Sequence, residues 1–190
     1  MLKKIAIFAS GSGSNAENIV LHFNQNPSIK VNLILTNNSI AGVLDRAKRL
    51  NVPTAVFSAK ELKETNTIPS LLKEYDIDFV VLAGFLLKVP DSLIKAYPNR
   101  IVNIHPALLP KYGGKGMYGS RVHEAVVAAG EKESGITIHY INEHYDEGNI
   151  IFQGKCEVSP SDTPDDVANK VHELEYKYYP SVIENLLNQI

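Results

Sequence analysis

The sequence predicts an α/β fold: a doubly wound, mostly parallel sheet with helices on both faces and an antiparallel C-terminal edge. Three observations support this prediction. Short apolar runs rich in β-branched residues alternate with stretches of helical periodicity as far as residue 104. The run Phe79–Ala83 is apolar throughout, which is typical of a parallel strand buried on both faces. After residue 130, two strand patterns follow each other without a helix between them, which indicates an antiparallel edge.

The predicted strands and helices alternate along the first part of the chain. The apolar runs predict strands at Ile5–Ala9, Val31–Thr36, Thr54–Phe57, Phe79–Ala83 and Ile101–Ile104. Apolar residues at helical spacing predict helices over residues 15–24, 41–50, 60–74 and 91–97. The antiparallel edge is expected to consist of two further strands, at Gly135–Ile141 and Ile150–Val158.

A long helix is predicted to follow the last strand. It is expected to begin near Thr163 and Pro164, because proline is favoured in the first turn of a helix. Apolar side chains recur at helical spacing from Val167 to Leu187, which predicts that the helix packs along the sheet. Pro180 interrupts this pattern and is expected to kink or break the helix, because proline donates no backbone hydrogen bond.

The overall composition predicts a single domain, residues 1–190, that acts on small molecules. A chain of 190 residues with 44% hydrophobic residues can bury one core. Its 19 basic and 21 acidic residues are dispersed, which argues against a nucleic-acid-binding surface. One cysteine, Cys156, and no signal-like or membrane-spanning run favour a cytoplasmic protein. Monomer and homodimer both stay open.

A glycine-rich loop is expected between the first strand and the first helix. Gly11, Gly13, Ser14 and Asn15 lie where such a turn exposes backbone N–H groups to anions, so a phosphate site is expected. A dinucleotide site is not expected, because residues 36–39 supply no acidic residue for a ribose. The alternative is a helix cap without a ligand, in which Ser14 and Glu17 form a capping box.

The ends of two neighbouring strands predict a second part of the site. Ligands of open parallel sheets bind beyond the carboxyl ends of the strands. The fourth strand ends before Gly84, and the fifth ends in the run Asn103–Ile104–His105–Pro106. Asn103 and His105 are two positions apart on a strand, so their side chains are expected on the same side. An amide and an imidazole then face one point.

Asp146 is expected to complete this site. It lies in the turn between the last two strands, and a carboxylate beside His105 would raise the pKa of the imidazole. An ordinary hairpin turn around Gly148 explains the same residues equally well. A zinc site built from His105, His139, His144 and Asp146 is a rival interpretation, although these residues lack a compact ligand motif.

Four segments together resemble a known family. They are Gly11–Asn15, Leu82–Phe85, Asn103–Pro110 and Asp146–Gly148, in this order and spacing. The chain resembles the folate-dependent formyltransferases over nearly its whole length, and among them the glycinamide ribonucleotide formyltransferases. This resemblance implies transfer of a formyl group from 10-formyltetrahydrofolate to the amine of 5-phosphoribosylglycinamide in de novo purine (IMP) biosynthesis. It implies no metal.

The resemblance also implies a role for individual residues. Asn103, His105 and Asp146 match the catalytic trio, while Gly13, Ser14 and Asn15 match the residues that hold the ribose phosphate. Glu175 matches a carboxylate that binds the ribose, with His172 as its neighbour. The folate is expected to contact Asn103 and the segment Leu86, Leu87, Lys88 and Val89. The family more often has a basic residue at the place of Leu87, and a further basic folate contact corresponds to Lys60 or Lys63.

In the mechanism that follows, Asn103 and protonated His105 stabilise the tetrahedral oxyanion, and Asp146 raises the pKa of His105. Residues 111–119 include four glycines and are expected to form either a mobile lid or a plain surface crossing. Methionyl-tRNA formyltransferase and formyltetrahydrofolate hydrolase are disfavoured, because each normally carries an additional domain. A non-catalytic phosphate-sugar binding module would leave the catalytic trio without a purpose.

Overall fold

The computed structural model describes residues 2–144 and 146–190 and has the predicted α/β architecture. In this part of the chain seven strands form one sheet: β1 (Lys3–Phe8), β2 (Ile29–Thr36), β3 (Thr54–Val56), β4 (Phe79–Leu82), β5 (Ile101–His105), β6 (Glu133–Tyr140) and β7 (Ile150–Glu157). Their order is β3-β2-β1-β4-β5-β6-β7. Strands β1 to β5 are parallel, whereas β6 and β7 each pair antiparallel to the preceding strand, so the predicted mixed sheet is confirmed.

Helices cover both faces of the sheet. They are α1 (Ser14–Phe23), α2 (Val43–Arg49), α3 (Ala59–Glu64), α4 (Thr67–Glu74), α5 (Asp91–Ala96), α6 (Ser120–Ala128) and α7 (Pro164–Leu187). The side chains of β1 alternate between two hydrophobic cores, with Ile5 and Ile7 in one and Ala6 and Phe8 in the other. This alternation explains why every residue from Ile5 to Phe8 is apolar. No helix in the described residues is long and apolar enough to cross a membrane.

Two helix predictions need correction. The helix expected over residues 60–74 is two helices, because Thr65 adopts an extended conformation between α3 and α4. Its hydroxyl donates to the Glu61 carbonyl at 2.8 Å and accepts from the Thr67 N–H at 3.2 Å, which replaces the backbone bonds of a continuous helix. Helix α6 was not predicted at all, although Val122 and Val126 on one of its faces are buried.

Of the two outcomes predicted at Pro180, a kink or a break, the break does not occur. Helix α7 continues through Pro180 to Leu187. Proline cannot donate to the carbonyl four residues earlier, so the carbonyl of Tyr176 loses its helical partner. The side-chain amide of Asn18, on α1, donates to this carbonyl at 2.9 Å instead. The partner that the helix itself cannot supply therefore comes from the neighbouring helix.

The capping box proposed as an alternative for the glycine-rich loop is also wrong. The residue that precedes α1 is Gly13, and within the described chain no side chain caps this helix. Glu17 forms ion pairs with Arg46 and Arg49 instead. The N-terminal N–H groups of α1 are therefore not occupied by a side-chain cap.

Candidate active site

A cavity of about 810 Å³ lies where the carboxyl ends of β1, β4 and β5 meet. The predicted residues that line it are Gly13, Ser14, Asn15, Leu86, Asn103, His105, Asp146, His172 and Glu175. They come from three strand ends, the β6–β7 loop and α7, so the fold brings distant parts of the sequence together. The volume is in the range typical of small-molecule sites.

The glycine-rich loop forms one wall of the cavity. Gly13 has a φ of +76°, and a Cβ there would lie 2.4 Å from Cγ2 of Val43 on α2. Glycine at this position is therefore required by packing, whatever the ligand. Gly11 has open space around it and faces the cavity. The bare N-terminus of α1 beside it is a favourable place for an anion.

Asn15, His172 and Glu175 form a hydrogen-bonded group on the same wall. The amide Nδ2 of Asn15 donates to Oε2 of Glu175 at 2.8 Å, and Nδ1 of His172 lies 2.9 Å from the same oxygen. Glu175 is only 5% exposed. The hydrogen bond that His172 donates to Glu175 raises the pKa of His172, although burial opposes this effect. The loop and the carboxylate predicted to bind phosphate and ribose are thus in direct contact.

Asn103 is held in one orientation by His139. The Nδ1 atom of His139 lies 3.0 Å from the carbonyl of Tyr140, so Nδ1 carries a proton and donates it. Burial lowers the pKa of His139, so the ring is neutral near pH 7 and its Nε2 is an acceptor. The Nδ2 atom of Asn103 donates to this Nε2 at 3.2 Å. The second N–H of the amide is then left for the cavity.

His105 and Asp146 lie side by side, as predicted. The Nδ1 atom of His105 is 3.7 Å from Oδ2 of Asp146, and Nε2 of His105 donates to the carbonyl of Tyr112 at 2.7 Å. Asp146 lies between two histidines, since its Oδ1 is 3.7 Å from Nε2 of His139. Its Oδ2 also accepts from the N–H of Gly114 at 2.9 Å. The loop around Asp146 is therefore part of the site and more than a hairpin turn.

The sequence analysis did not identify His123. This residue lies on α6, is 3% exposed and lines the cavity. Its Nδ1 has no hydrogen-bond partner among the described residues. Burial lowers the pKa of His123, and nearby His172 acts in the same direction. The signal in the sequence was the helical spacing of Val122 and Val126, which would have placed His123 on a buried helix face.

The family follows from comparison with known proteins. The Formyl transferase family model matches residues 3–183. The chain belongs to this family. It is 42% identical over 187 residues to the chloroplastic phosphoribosylglycinamide formyltransferase of Arabidopsis thaliana, covering 95% of this chain and 64% of that protein. It is 36% identical over 191 residues to the phosphoribosylglycinamide formyltransferase of Bacillus subtilis (strain 168), covering 98% and 95%.

Solved structures agree with this assignment. The phosphoribosylglycinamide formyltransferase from Anaplasma phagocytophilum superposes with a TM-score of 0.90 at 31% identity, covering 100% of this chain and 89% of that one. The enzyme from Streptococcus pneumoniae TIGR4 superposes with a TM-score of 0.85 at 38% identity, covering 97% and 99%. This formyl transferase chain spans less than two thirds of the chloroplastic relatives, 64% of one and 62% of the other.

The segment expected to bind folate lies at one side of the formyl transferase cavity. The Leu86 side chain lines the cavity and is 53% exposed. Leu87 and Val89 pack into the core that contains Ala6 and Phe8, and Lys88 is exposed. The backbone N–H of Leu86 donates to Oγ of Ser10 at 3.0 Å, which ties this segment to the glycine-rich loop.

Three further predictions concern the surroundings of the cavity. Lys60 and Lys63 lie exposed on α3 and outside the cavity lining. Residues 114–119 line the cavity, so this loop covers the site, and its mobility stays a prediction. For the rival zinc site, Asp146 lies 3.7 Å from both His105 and His139. No group of three or more His, Cys, Asp or Glu that could hold a metal ion is found in residues 2–144 and 146–190.

Proposed function

We propose that this protein transfers the formyl group of 10-formyltetrahydrofolate to the amine of 5-phosphoribosylglycinamide. The observation that carries the proposal is that Asn103, His105 and Asp146 share one cavity with the anion-binding end of α1 and with Glu175. An acyl-transfer centre beside a phosphate-ribose site in one cavity fits a phosphorylated amine as the acceptor. The names of the relatives in both comparisons support the same substrate.

The phosphorylated substrate fits the wall made by the glycine-rich loop. Its phosphate accepts from the free N–H groups of Gly13, Ser14 and Asn15 at the N-terminus of α1. Glu175 uses Oε2 for its bonds to Asn15 and His172, which leaves Oε1 as an acceptor for a ribose hydroxyl. Buried Nδ1 of His123 gains a hydrogen-bond partner when the nucleotide enters, which removes the cost of leaving it unpaired.

The formyl group then lies over Asn103 and His105. The amine attacks the formyl carbon, the C=O electron pair moves to oxygen, and the free N–H of Asn103 stabilises the oxyanion together with protonated His105. Removing one such donor typically costs about 2.7–4 kcal/mol of barrier. The tetrahedral intermediate collapses by expelling the folate nitrogen, which takes up a proton while the former amine loses one. Asp146, 3.7 Å from His105, stabilises the positive charge that the ring carries in these steps.

The folate fits the wall formed by residues 86–89. Leu86 offers an exposed apolar side chain to the pteridine, whereas Leu87 and Val89 are packed in the core and contribute through their backbone atoms. The resemblance implies that a basic residue is more common at the place of Leu87, and a leucine there leaves a backbone contact intact. The chemistry of the segment is therefore compatible with a flat, hydrogen-bonding ring system.

The activity is tested by mixing the protein with 5-phosphoribosylglycinamide and 10-formyltetrahydrofolate. The expected result is deformylated folate, seen by absorbance, together with formylated nucleotide, seen by mass spectrometry. His105→Ala and Asp146→Asn are expected to fold normally and to lose turnover by about 10²–10³-fold. Full activity in either variant contradicts the assigned roles. Deformylation without the amine identifies a hydrolase instead, and nucleotide binding without any transfer identifies a binding module.

The proposal extends to the working state of the enzyme. One domain, residues 1–190, acts on small molecules without nucleic acid or metal, as a monomer or homodimer. Turnover that persists in EDTA and a size-exclusion measurement check these points. The relatives include bacterial and chloroplastic proteins, so the cytoplasmic compartment stays a prediction from the sequence.

A further inference from the structure

The segment Lys111–Gly114 contacts both His105 and Asp146 through its backbone. The carbonyl of Tyr112 accepts from Nε2 of His105 at 2.7 Å. Two residues later, the N–H of Gly114 donates to Oδ2 of Asp146 at 2.9 Å. The relative position of His105 and Asp146 therefore depends on the conformation of this short segment.

That conformation is one that tyrosine rarely adopts. Tyr112 has a φ of +56°, in the left-handed region, which is sterically unfavourable for a bulky residue. The surrounding contacts must offset this strain. The hydroxyl of Tyr112 donates to Oε1 of Glu131 at 2.9 Å, and Nζ of Lys111 donates to the same oxygen at 2.8 Å. These two hydrogen bonds lower the pKa of Glu131, so it is a carboxylate at neutral pH.

The carbonyl of Tyr112 also determines where the proton of His105 lies. A carbonyl oxygen can only accept, so Nε2 must carry a hydrogen. In the neutral ring the lone pair is then on Nδ1, the atom that faces Asp146 at 3.7 Å. Nδ1 is therefore the atom that gains and loses a proton during the reaction. The tautomer of the His105 ring is set by the Tyr112 carbonyl, from outside the cavity.

We propose that Glu131 and the hydroxyl of Tyr112 are positioning residues for formyl transfer. They hold the Tyr112 carbonyl on Nε2 of His105 and thereby keep Nδ1 directed at Asp146. Neither side chain lines the cavity, so each acts through the backbone of residues 112–114. The inference rests on the proposed function for its kinetic consequence and on the hydrogen bonds alone for its effect on the His105 tautomer.

The kinetic test compares Tyr112→Phe and Glu131→Ala with the unaltered enzyme. Both variants are expected to lose about 10- to 100-fold in kcat, as is typical when a supporting contact of a catalytic group is removed, with both KM values within about twofold. Glu131→Gln keeps an oxygen that accepts from Tyr112 and is expected to restore most of the activity. Glu133→Gln, which breaks an exposed ion pair to Lys155 nearby, is the matched control and should be inert.

The spectroscopic test is independent of turnover. ¹⁵N NMR of ring-labelled protein is expected to show neutral His105 as the Nε2–H tautomer, and a mixture of tautomers in Tyr112→Phe and Glu131→Ala. An unchanged kcat in both variants, or an unchanged tautomer, overturns the proposal. If the unaltered protein has no formyl transferase activity but the tautomer shifts as expected, the proposed function fails and the positioning contact stands.

Discussion

The orientation of Asn103 depends on the protonation of one buried ring. His139 can accept from the Asn103 amide only while the ring is neutral and its Nδ1 donates to Tyr140. Both conditions hold, because burial lowers the pKa of His139. An amide that can rotate freely presents its oxygen as often as its N–H to a developing oxyanion, and only the N–H stabilises it. In the proposed mechanism, the neutral imidazole of His139 therefore determines which end of the Asn103 amide faces the oxyanion.

His139→Leu is expected to lower kcat by about 10- to 100-fold, because Asn103 loses the acceptor that orients its amide. The measurement is a double-mutant cycle with Asn103→Ala. Since both changes remove the same oriented donor, the double variant should be no slower than Asn103→Ala alone. Additive losses would show that His139 acts on the reaction by another route.

Some site residues could be predicted from a local pattern in the sequence, some only from the family resemblance, and some not at all. Alternation along β5 was enough to place Asn103 and His105 on one side, because the period of a strand is a local property. The place of Asp146 in the last turn suggested its role, but an ordinary hairpin explained it equally well. Glu175 and His172 were matched only through the family resemblance, since the contact from Glu175 to Asn15 spans 160 positions. His123 was missed although the spacing of Val122 and Val126 signals its helix. Tyr112 and Glu131 could not be found, because their contacts depend on a loop whose conformation no local pattern predicted.

The helices show where local patterns fail. Strand positions were predicted to within about two residues, because apolar runs bounded by turns mark buried strands well. Two of the helix errors, at Thr65 and at Pro180, occurred where a side chain forms a hydrogen bond to the backbone. The hydroxyl of Thr65 donates to a backbone carbonyl at the end of α3. The side-chain amide of Asn18, on α1, donates to the α7 carbonyl that Pro180 leaves without a partner. Neither interaction has a signature in the hydrophobic periodicity.

The contact between α1 and α7 can be tested through the hydrogen bond from Asn18 to the Tyr176 carbonyl. Asn18→Ala leaves the Tyr176 carbonyl without its side-chain donor and is expected to cost about 0.5–1.5 kcal/mol of unfolding free energy. In a Pro180→Ala background, the backbone N–H of Ala can donate to the same carbonyl, so Asn18→Ala should cost less. Urea denaturation of the four proteins in this cycle measures the coupling. A coupling of zero would mean that water satisfies the carbonyl as well as Asn18 does.

The overall topology explains why Asp146 reaches the site by an indirect path. Because β6 is antiparallel to β5, its last residue, Tyr140, lies opposite Val102, at the end of β5 that is remote from His105. The following loop must fold back along the sheet to bring Asp146 to His105. Gly148 permits this path, since a Cβ there would lie 1.6 Å from the carbonyl oxygen of Tyr140.

The buried histidines also make the stability of the fold depend on pH. Burial lowers the pKa of His123 and of His139 below the usual 6.5. The unfolded chain then binds more protons than the folded one as the pH falls below about 6.5, so acid destabilises the fold. His172 has the opposite sign: its raised pKa contributes stability that is fully present below 6.5 and is lost as the pH rises through the folded value.

Burial of His123 and His139 is therefore expected to lower the midpoint temperature of thermal unfolding as the pH decreases from about 7 to about 5.5. Each kcal/mol lost should lower it by about 2–4 °C in a protein of this size. His123→Gln is neutral at every pH and should flatten this dependence, because one of the two proton-linked losses disappears. Calorimetry at a series of pH values measures both slopes. Parallel slopes in the two proteins would show that protonation of His123 is not linked to folding, and that the acid sensitivity comes from other groups.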